Sequence, residues 1–407
     1  MLDLSKLARQ MQGISDHLSK EAEAARRRVE IAQTLMEKAK GNQAQLTQRL
    51  DEYRDRLLFA AAEPLEPLET KIALPKAPEA HTVISSDGSQ ISPSHHEIAY
   101  CYLLNISRVI IHYGQSRYPL LDSLPEVIYR AEDLYASRQW GISTEEWMGY
   151  KRTAAEAVML AELGEQGCDS AQLLEKPSGI RGGNPSAPVL AMTDGSLIYW
   201  FLEQIPAAAR DEILLPVLEA WNKLREQRIP VMGYISSSRS GEALNFLRLQ
   251  ACPYEGPDCR THCDDQRGQM PCQVFSPLRD VTLWATTLSP GERGPLWKSS
   301  ADILSCYGEH TVYFCYVHVG AEVARVEFPQ WVVEDSDLLD SALSLMLAQV
   351  QKGFGYPVAL AEAHNQAVVR GGDRTRFFTL LEQQMIRAGL KNVGTSFKEA
   401  RKRGSIA

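Results

Sequence analysis

Ile84-Ser85-Ser86-Asp87-Gly88-Ser89-Gln90-Ile91 organises the reading of the chain, because Leu190-Ala191-Met192-Thr193-Asp194-Gly195-Ser196-Leu197-Ile198 repeats it much later. In each copy a short apolar run, which predicts a strand, delivers an aspartate to a Gly-Ser pair. An acid at a strand end, followed by a glycine that lets the backbone turn, is a rigid mount for a hard-metal ligand. Two such strands side by side bring two carboxylates together. Asp-Gly is also the strongest short-range hairpin signal, so each copy by itself reads more readily as a turn than as a site.

The surrounding chain is long enough for a large core. Its 407 residues are 44% hydrophobic and 23% charged, with a net charge of −8. These values fit a globular protein and argue against broad non-specific nucleic-acid binding, though not against a local basic groove. There is no apolar run of membrane-spanning length and no secretion-like N-terminal signal, so the expectation is a cytoplasmic protein without a membrane partner. Eight cysteines then read as reduced thiols or metal ligands rather than a disulfide framework.

Leu7, Met11, Ile14, Leu18, Ala22 and Ala25 recur at helical spacing, and Val29 to Ala39 continue the stripe. Residues 1–62 therefore read as a coiled-coil-like helical arm with a turn available at Gly41-Asn42, serving either its own domain or a dimer. Pro64, Pro67, Pro75 and Pro78 mark a linker over residues 63–80. A main domain follows over 81–390, and residues 391–407 form a basic tail. Inside the main domain a strand is expected over Ile98–His112, then a mixed, weakly helical stretch, then a helix over about Ser143–Gly164. In that helix Glu156 falls in the apolar stripe with Met159, Leu160 and Leu163, while Glu162 and Glu165 fall opposite. A carboxylate there needs a cation: Arg152 one turn earlier, or a metal.

Pro177 to Pro188 reads as a loop, and helices are expected near Ala208–Gln227, Ser336–Gln351 and from Val358. The strand Pro230–Ser236 runs through Ser236–Gly241 into a helix, a common anion seat with Arg239 beside it. Strands are expected at Thr311–Val319 and Ala321–Phe328. Arg325 in the second of these, Arg239, and Arg370 in its C-terminal arginine cluster are the candidate phosphate contacts. His364 shares a helix face with Leu360, Ala361, Ala367 and Val368, the ordinary pattern of a core histidine. Cys252, Cys259, Cys263 and Cys272 fall in a polar segment over residues 252–272 whose spacing lacks paired CxxC knuckles. Their number in so short a loop still favours a bound zinc ion or an iron–sulfur cluster. Cys101 and Cys315 sit in apolar strand patterns and read as core.

Several phrases together resemble the NurA family of nucleases. They are the two Asp-Gly-Ser strands, GYISSSRS at Gly233–Ser240, RD…LSPGER from Arg279 to Arg293, ARVEFPQW at Ala324–Trp331, and YPVALAEAHNQAVVR at Tyr356–Arg370. The likeness runs in order from about residue 80 to 385. It implies an α/β, RNase H-like core, akin to the Argonaute nuclease domain, with a mixed sheet flanked by helices. It further implies a homodimer, a manganese-dependent DNA nuclease with magnesium as the alternative ion, and a hexameric HerA-type translocase as partner. The implied role is single-strand exo- and endonucleolytic cleavage, 5′ to 3′, in resecting broken DNA ends. On matching positions Asp87, Glu156 and Asp194 are the implied metal ligands, and His364 is the histidine near the C-terminal end. Ser196 stands where some members carry an acid, the spacing from Asp87 to Asp194 is long, and the four-cysteine segment is an elaboration of bacterial members. A catalytically weak DNA-end scaffold and a metal-dependent phosphatase are the competing functions.

Overall fold

The structure, a computed structural model, describes residues 3–92, 101–169, 187–266 and 269–389. The loop expected at Pro177–Pro188 lies almost wholly outside these residues, as do the basic tail and Ile98–Tyr100 of the expected strand. The chain divides into two compact units, Met1–Leu74 with Tyr234–Phe328, and Pro75–Gly233 with Pro329–Ala407. Both mix helices with strands. No described helix is long and apolar enough to cross a membrane.

The second unit is built on the strand His81–Ser85, every residue of which is buried. It pairs antiparallel with Tyr102–Tyr113 and parallel with Val189–Asp194. A strand flanked on both edges and covered on both faces reads as a continuous apolar run rather than an alternation, as Val83-Ile84 and Leu190-Ala191-Met192 do. Tyr102–Tyr113 also carries Gly88–Ile91 on the same side and Leu120–Ile128 on its other edge. Leu120–Ile128 corrects the expectation of a weakly helical stretch there. Its residues are half-exposed or exposed and include Pro125, so neither periodicity nor propensity marks it. As the outer strand of this group it tolerates both, since one ladder edge and one face need no partner.

Helix Thr144–Asp169 buries Met159, Leu160 and Leu163 of the stripe read from the sequence, and Trp147 and Met148 besides. Ala207–Glu226 buries Ile213, Leu214, Val217, Trp221 and Leu224. Ser336–Lys352 begins where the Asp335 side chain accepts the Leu338 N–H, an N-cap. Val358–Ala367 follows Pro357, whose fixed φ suits the residue before a helix, and Gly371–Arg387 closes the described chain.

In the first unit the expected helical arm is a short helix, Leu4–Gln10, a 3-10 turn, and a long helix, Ile14–Tyr53, interrupted at Asn42, where φ is −136° and ψ 26°. Gly41-Asn42 thus kinks the helix and does not supply the turn that the sequence made available. Ala32, Met36, Ala39, Leu46 and Leu50 enter a core with Phe246, Leu247, Trp284, Trp297 and Phe314. Before that point Leu4, Met11, Ile14 and Leu18 are exposed. Strands Val312–His318 and Val323–Pro329 lie within a residue or two of their expected positions. Cys315 there, like Cys101 in the other unit, is buried.

Candidate active site

The two aspartate-bearing stretches meet because their strands are parallel neighbours. Ser85 stands opposite Met192 in the ladder, so the same register carried two residues further sets Asp87 beside Asp194. Neither Asp-Gly is a hairpin turn, and the two glycines are required for different reasons. Gly195 has φ +109°, a conformation that strains any residue with a Cβ. Gly88 opens a strand, and a Cβ there would lie 2.5 Å from Glu156 Oε1 and 2.6 Å from Arg152 Cγ. The glycine after Asp87 is therefore there for the close approach of helix Thr144–Asp169, not for a turn.

Asp87 is held by backbone geometry on both sides. Its N–H donates to Ser107 Oγ at 2.9 Å, Ser107 N–H donates to its carbonyl at 2.8 Å, and Gly88 N–H donates to its Oδ1 at 2.8 Å. The other carboxylate oxygen lies 3.1 Å from His364 Nδ1. Glu156 sits on the helix across from Gly88, with its side chain 18% exposed and Arg152 Nε 3.2 Å from Oε1. The cation that its place in an apolar stripe demands is thus Arg152 in this arrangement.

Burial pushes the Glu156 carboxyl up to about 8, with Asp87 and Asp194 adding to the rise while Arg152 and the Gly88 N–H partly offset it. Asp194 is raised mainly by burial and also by Asp87, against a hydrogen bond from Tyr356 and the nearby His364. Three carboxylates thus stand together, with Glu156 and Asp194 both harder to ionise than an ordinary carboxylate. They line one cavity of about 470 Å³, whose other wall is aromatic: Tyr199, Trp200, Phe201 and Trp221. Among the described residues no three His, Cys, Asp or Glu side chains are already closed around an ion-sized point. Arg152 engages Glu156 and His364 engages Asp87 instead.

Asp87, Glu156, Asp194 and His364 therefore lie close together, and His364, which its helix face marked as a core histidine, is instead 67% exposed. The candidate phosphate contacts fare differently. Arg325 is corrected: it is 2% exposed, and its guanidinium lies 2.8 Å from Glu242 and 2.7 Å from Glu327, so its charge is already matched inside the protein. The anion seat at Ser236–Gly241 is corrected too. The N–H groups of Ala243 and Leu244 at the start of helix Glu242–Ala251 donate to the carboxylate of Asp280 at 3.1 and 2.8 Å. An internal anion occupies the place a phosphate would take. Arg239 is exposed in that unit, and Arg370 is exposed at the start of Gly371–Arg387.

Two neighbours of the carboxylates escaped the motif reading. Tyr356 hydrogen-bonds Asp194; its signal was the Gly-Tyr-Pro phrase directly before the His364 helix. Tyr199, Trp200 and Phe201 of the aromatic wall had no periodic signature, since Tyr199 leads directly into the short 3-10 helix Trp200–Leu202 after Asp194.

Compared with known proteins, residues 81–369 match the family model described as the NurA domain. The fold is similar to the crystal structure of the NurA nuclease from Sulfolobus solfataricus, with TM-score 0.51 and 12% identity over 96% of this chain and 99% of that one. No curated protein matches the chain.

Proposed function

Because the chain belongs to the NurA family, we propose that the carboxylate pocket hydrolyses phosphodiester bonds in DNA with the help of a divalent metal ion. The observation that carries this reading is the convergence of Asp87, Glu156 and Asp194 on one cavity walled by aromatic rings. Strand order in this unit supports an RNase H-like core: Leu120–Ile128, Tyr102–Tyr113, His81–Ser85, Val189–Asp194, with the first three antiparallel and the fourth parallel to the third.

The residues fit a hard cation. Their donors are all oxygen, which suits manganese or magnesium, and the raised pKa of Glu156 and of Asp194 marks a cluster that a positive charge would relieve. Asp87, Glu156 and Asp194 would hold the metal, which when bound supplies charge to the phosphate and acidifies water. Asp87, fixed by Gly88 N–H and Ser107, provides the rigid centre of the set. Tyr356 orients Asp194. His364, 67% exposed with Nδ1 turned to Asp87, offers Nε2 to hold the scissile phosphate or pass a proton to the leaving oxygen. Trp200 and Phe201 give unpaired bases flat apolar faces to stack on, which favours single-stranded or frayed DNA.

As the family resemblance implies, the protein would work as a homodimer beside a HerA-type translocase at broken ends. The exposed Leu4, Met11, Ile14 and Leu18 of the arm supply an apolar face for such an association. The test is release of nucleotides from single-stranded DNA with and without manganese. Wild type should cleave only with the ion, and Asp194→Asn, which keeps shape and removes charge, should lose cleavage while keeping its fold. Wild-type rates in Asp194→Asn would refute the assignment.

A further inference from the structure

The carboxylate chemistry leaves one group of side chains in the other unit without a role. Cys252 follows the last residue of helix Glu242–Ala251, Cys259 opens the four-residue helix Cys259–His262, Cys263 ends it, and Cys272 lies in the turn after Met270. Cys259, Cys263 and Cys272 are 5%, 5% and 4% exposed, and all four are free thiols. They line the same small cavity, of about 10 Å³. That is the room of about one water-sized sphere.

Among the described residues the apolar core of this lobe is small. Its buried cluster consists of three of those thiols and Met270, with Leu57, Leu58, Phe59, Ala251 and Tyr254 packed partly against it. Ordering a segment of this length costs more conformational entropy than so small an apolar core returns, and natural chains meet that shortfall with a cross-link or a metal. The four cysteines are not paired as disulfides.

A second, independent feature points into the same nest. Arg248 is 5% exposed, yet no carboxylate pairs with it among the described residues. Its Nε and Nη2 donate to Cys272 Sγ at 3.4 and 3.3 Å, and Nη2 approaches Met270 Sδ at 3.5 Å. Nη1 reaches Asn245 Oδ1 at 3.4 Å, and the guanidinium lies 3.6 Å over the Phe59 ring. A buried cation aimed at neutral thiols is poorly compensated, whereas thiolates around a metal carry the net negative charge that it matches.

We propose that Cys252, Cys259, Cys263 and Cys272 form a four-thiolate centre for a thiophilic metal, either zinc or iron in an iron–sulfur cluster. The centre fastens the 252–272 segment to the end of the long N-terminal helix, where Asp258 pairs with Arg56 at 2.9 Å and Gly256 packs against Tyr53. Soft sulfur donors select these metals over the hard cations suited to the carboxylate pocket. Arg248 acts as a positioning residue for Cys272.

The test is metal and acid-labile sulfide analysis of the full-length protein, purified aerobically and anaerobically without chelator. Zinc near one per chain, or iron with matching sulfide, supports the centre and tells the two apart. A mercurial that titrates thiols should release the metal in step. Cys259→Ser and Cys263→Ser should lose the metal, whereas Cys306→Ser, outside the cluster, and Asp194→Asn should keep it. Arg248→Met, which leaves all four thiols in place, should release metal to a chelator about tenfold faster, the usual effect of removing a partner of a ligand. Absence of zinc and iron from wild type, with all four thiols rapidly alkylated in the native state, would overturn the proposal. Equal metal content in Cys259→Ser and wild type would do so as well.

Discussion

Glu156→Gln separates the two readings of the buried glutamate, because it should stabilise the metal-free protein while abolishing cleavage. The folded carboxyl is held at about 8 against an ordinary 4.5. Each tenfold weakening of an acid corresponds to about 1.4 kcal/mol, so the penalty on the charged form reaches about 4–5 kcal/mol at most. Solvent at the part-exposed side chain and local relaxation reduce this to about 1–3 kcal/mol. Since the folded value lies above the unfolded one, the stabilisation it represents is complete below about pH 4.5. It is lost as pH rises through about 8. Glutamine keeps the shape and an acceptor for Arg152 but has nothing to ionise. In a chelator, the variant should therefore melt close to wild type at pH 5 and above it by about 2–10 °C at pH 8–9. Manganese should raise the wild-type melting temperature and leave the variant nearly unmoved, since only a state that binds the ion gains from it. Thermal unfolding across pH, with and without manganese, and nucleotide release from single-stranded DNA make up the assay. A variant that melts no higher than wild type at pH 8 in chelator, or that cleaves at the wild-type rate, would show that Glu156 is only the ion-pair partner of Arg152.

Gly88→Ala should lower cleavage and cost about 1–3 kcal/mol, because its Cβ would press on Glu156 and the stem of Arg152; an unchanged melting temperature and rate would refute the close-approach argument. Tyr356→Phe removes one hydrogen bond to Asp194 and should weaken apparent manganese affinity about five- to tenfold, read from cleavage against manganese concentration, with stability within about 1 kcal/mol of wild type. Asp280→Ala strands two helix N–H groups and the Tyr316 hydroxyl, which donates to it at 2.6 Å, and should cost about 3–5 kcal/mol in denaturant unfolding. A loss below about 1 kcal/mol there would mean that the helix end finds other acceptors.

What could be read in the chain was what is written locally. An apolar run ending in an acid is visible over eight residues, and a parallel register then makes two such runs into one site without further information. The misplaced Glu156 was visible because helical periodicity sorts a face within two turns. The cysteines were visible because sulfur is rare and their spacing is short.

What the sequence alone could not determine depends on partners distant in the chain. The alternation around Arg325 looks like that of any strand, and only the closing of the first unit sets Glu242 and Glu327 against it and removes it from solvent. The hydroxyl-rich turn before Glu242 looks like a phosphate seat until Asp280 arrives to fill it. Leu120–Ile128 becomes a strand because Tyr102–Tyr113 presents it an open edge; its own residues carry too little propensity to choose. Gly88 and Gly195 are the same word in the sequence, yet one answers to a helix pressed against it and the other to its own φ angle. Periodicity and spacing act over a few residues, whereas burial, charge pairing and strand edges are settled only when segments far apart in sequence close on one another.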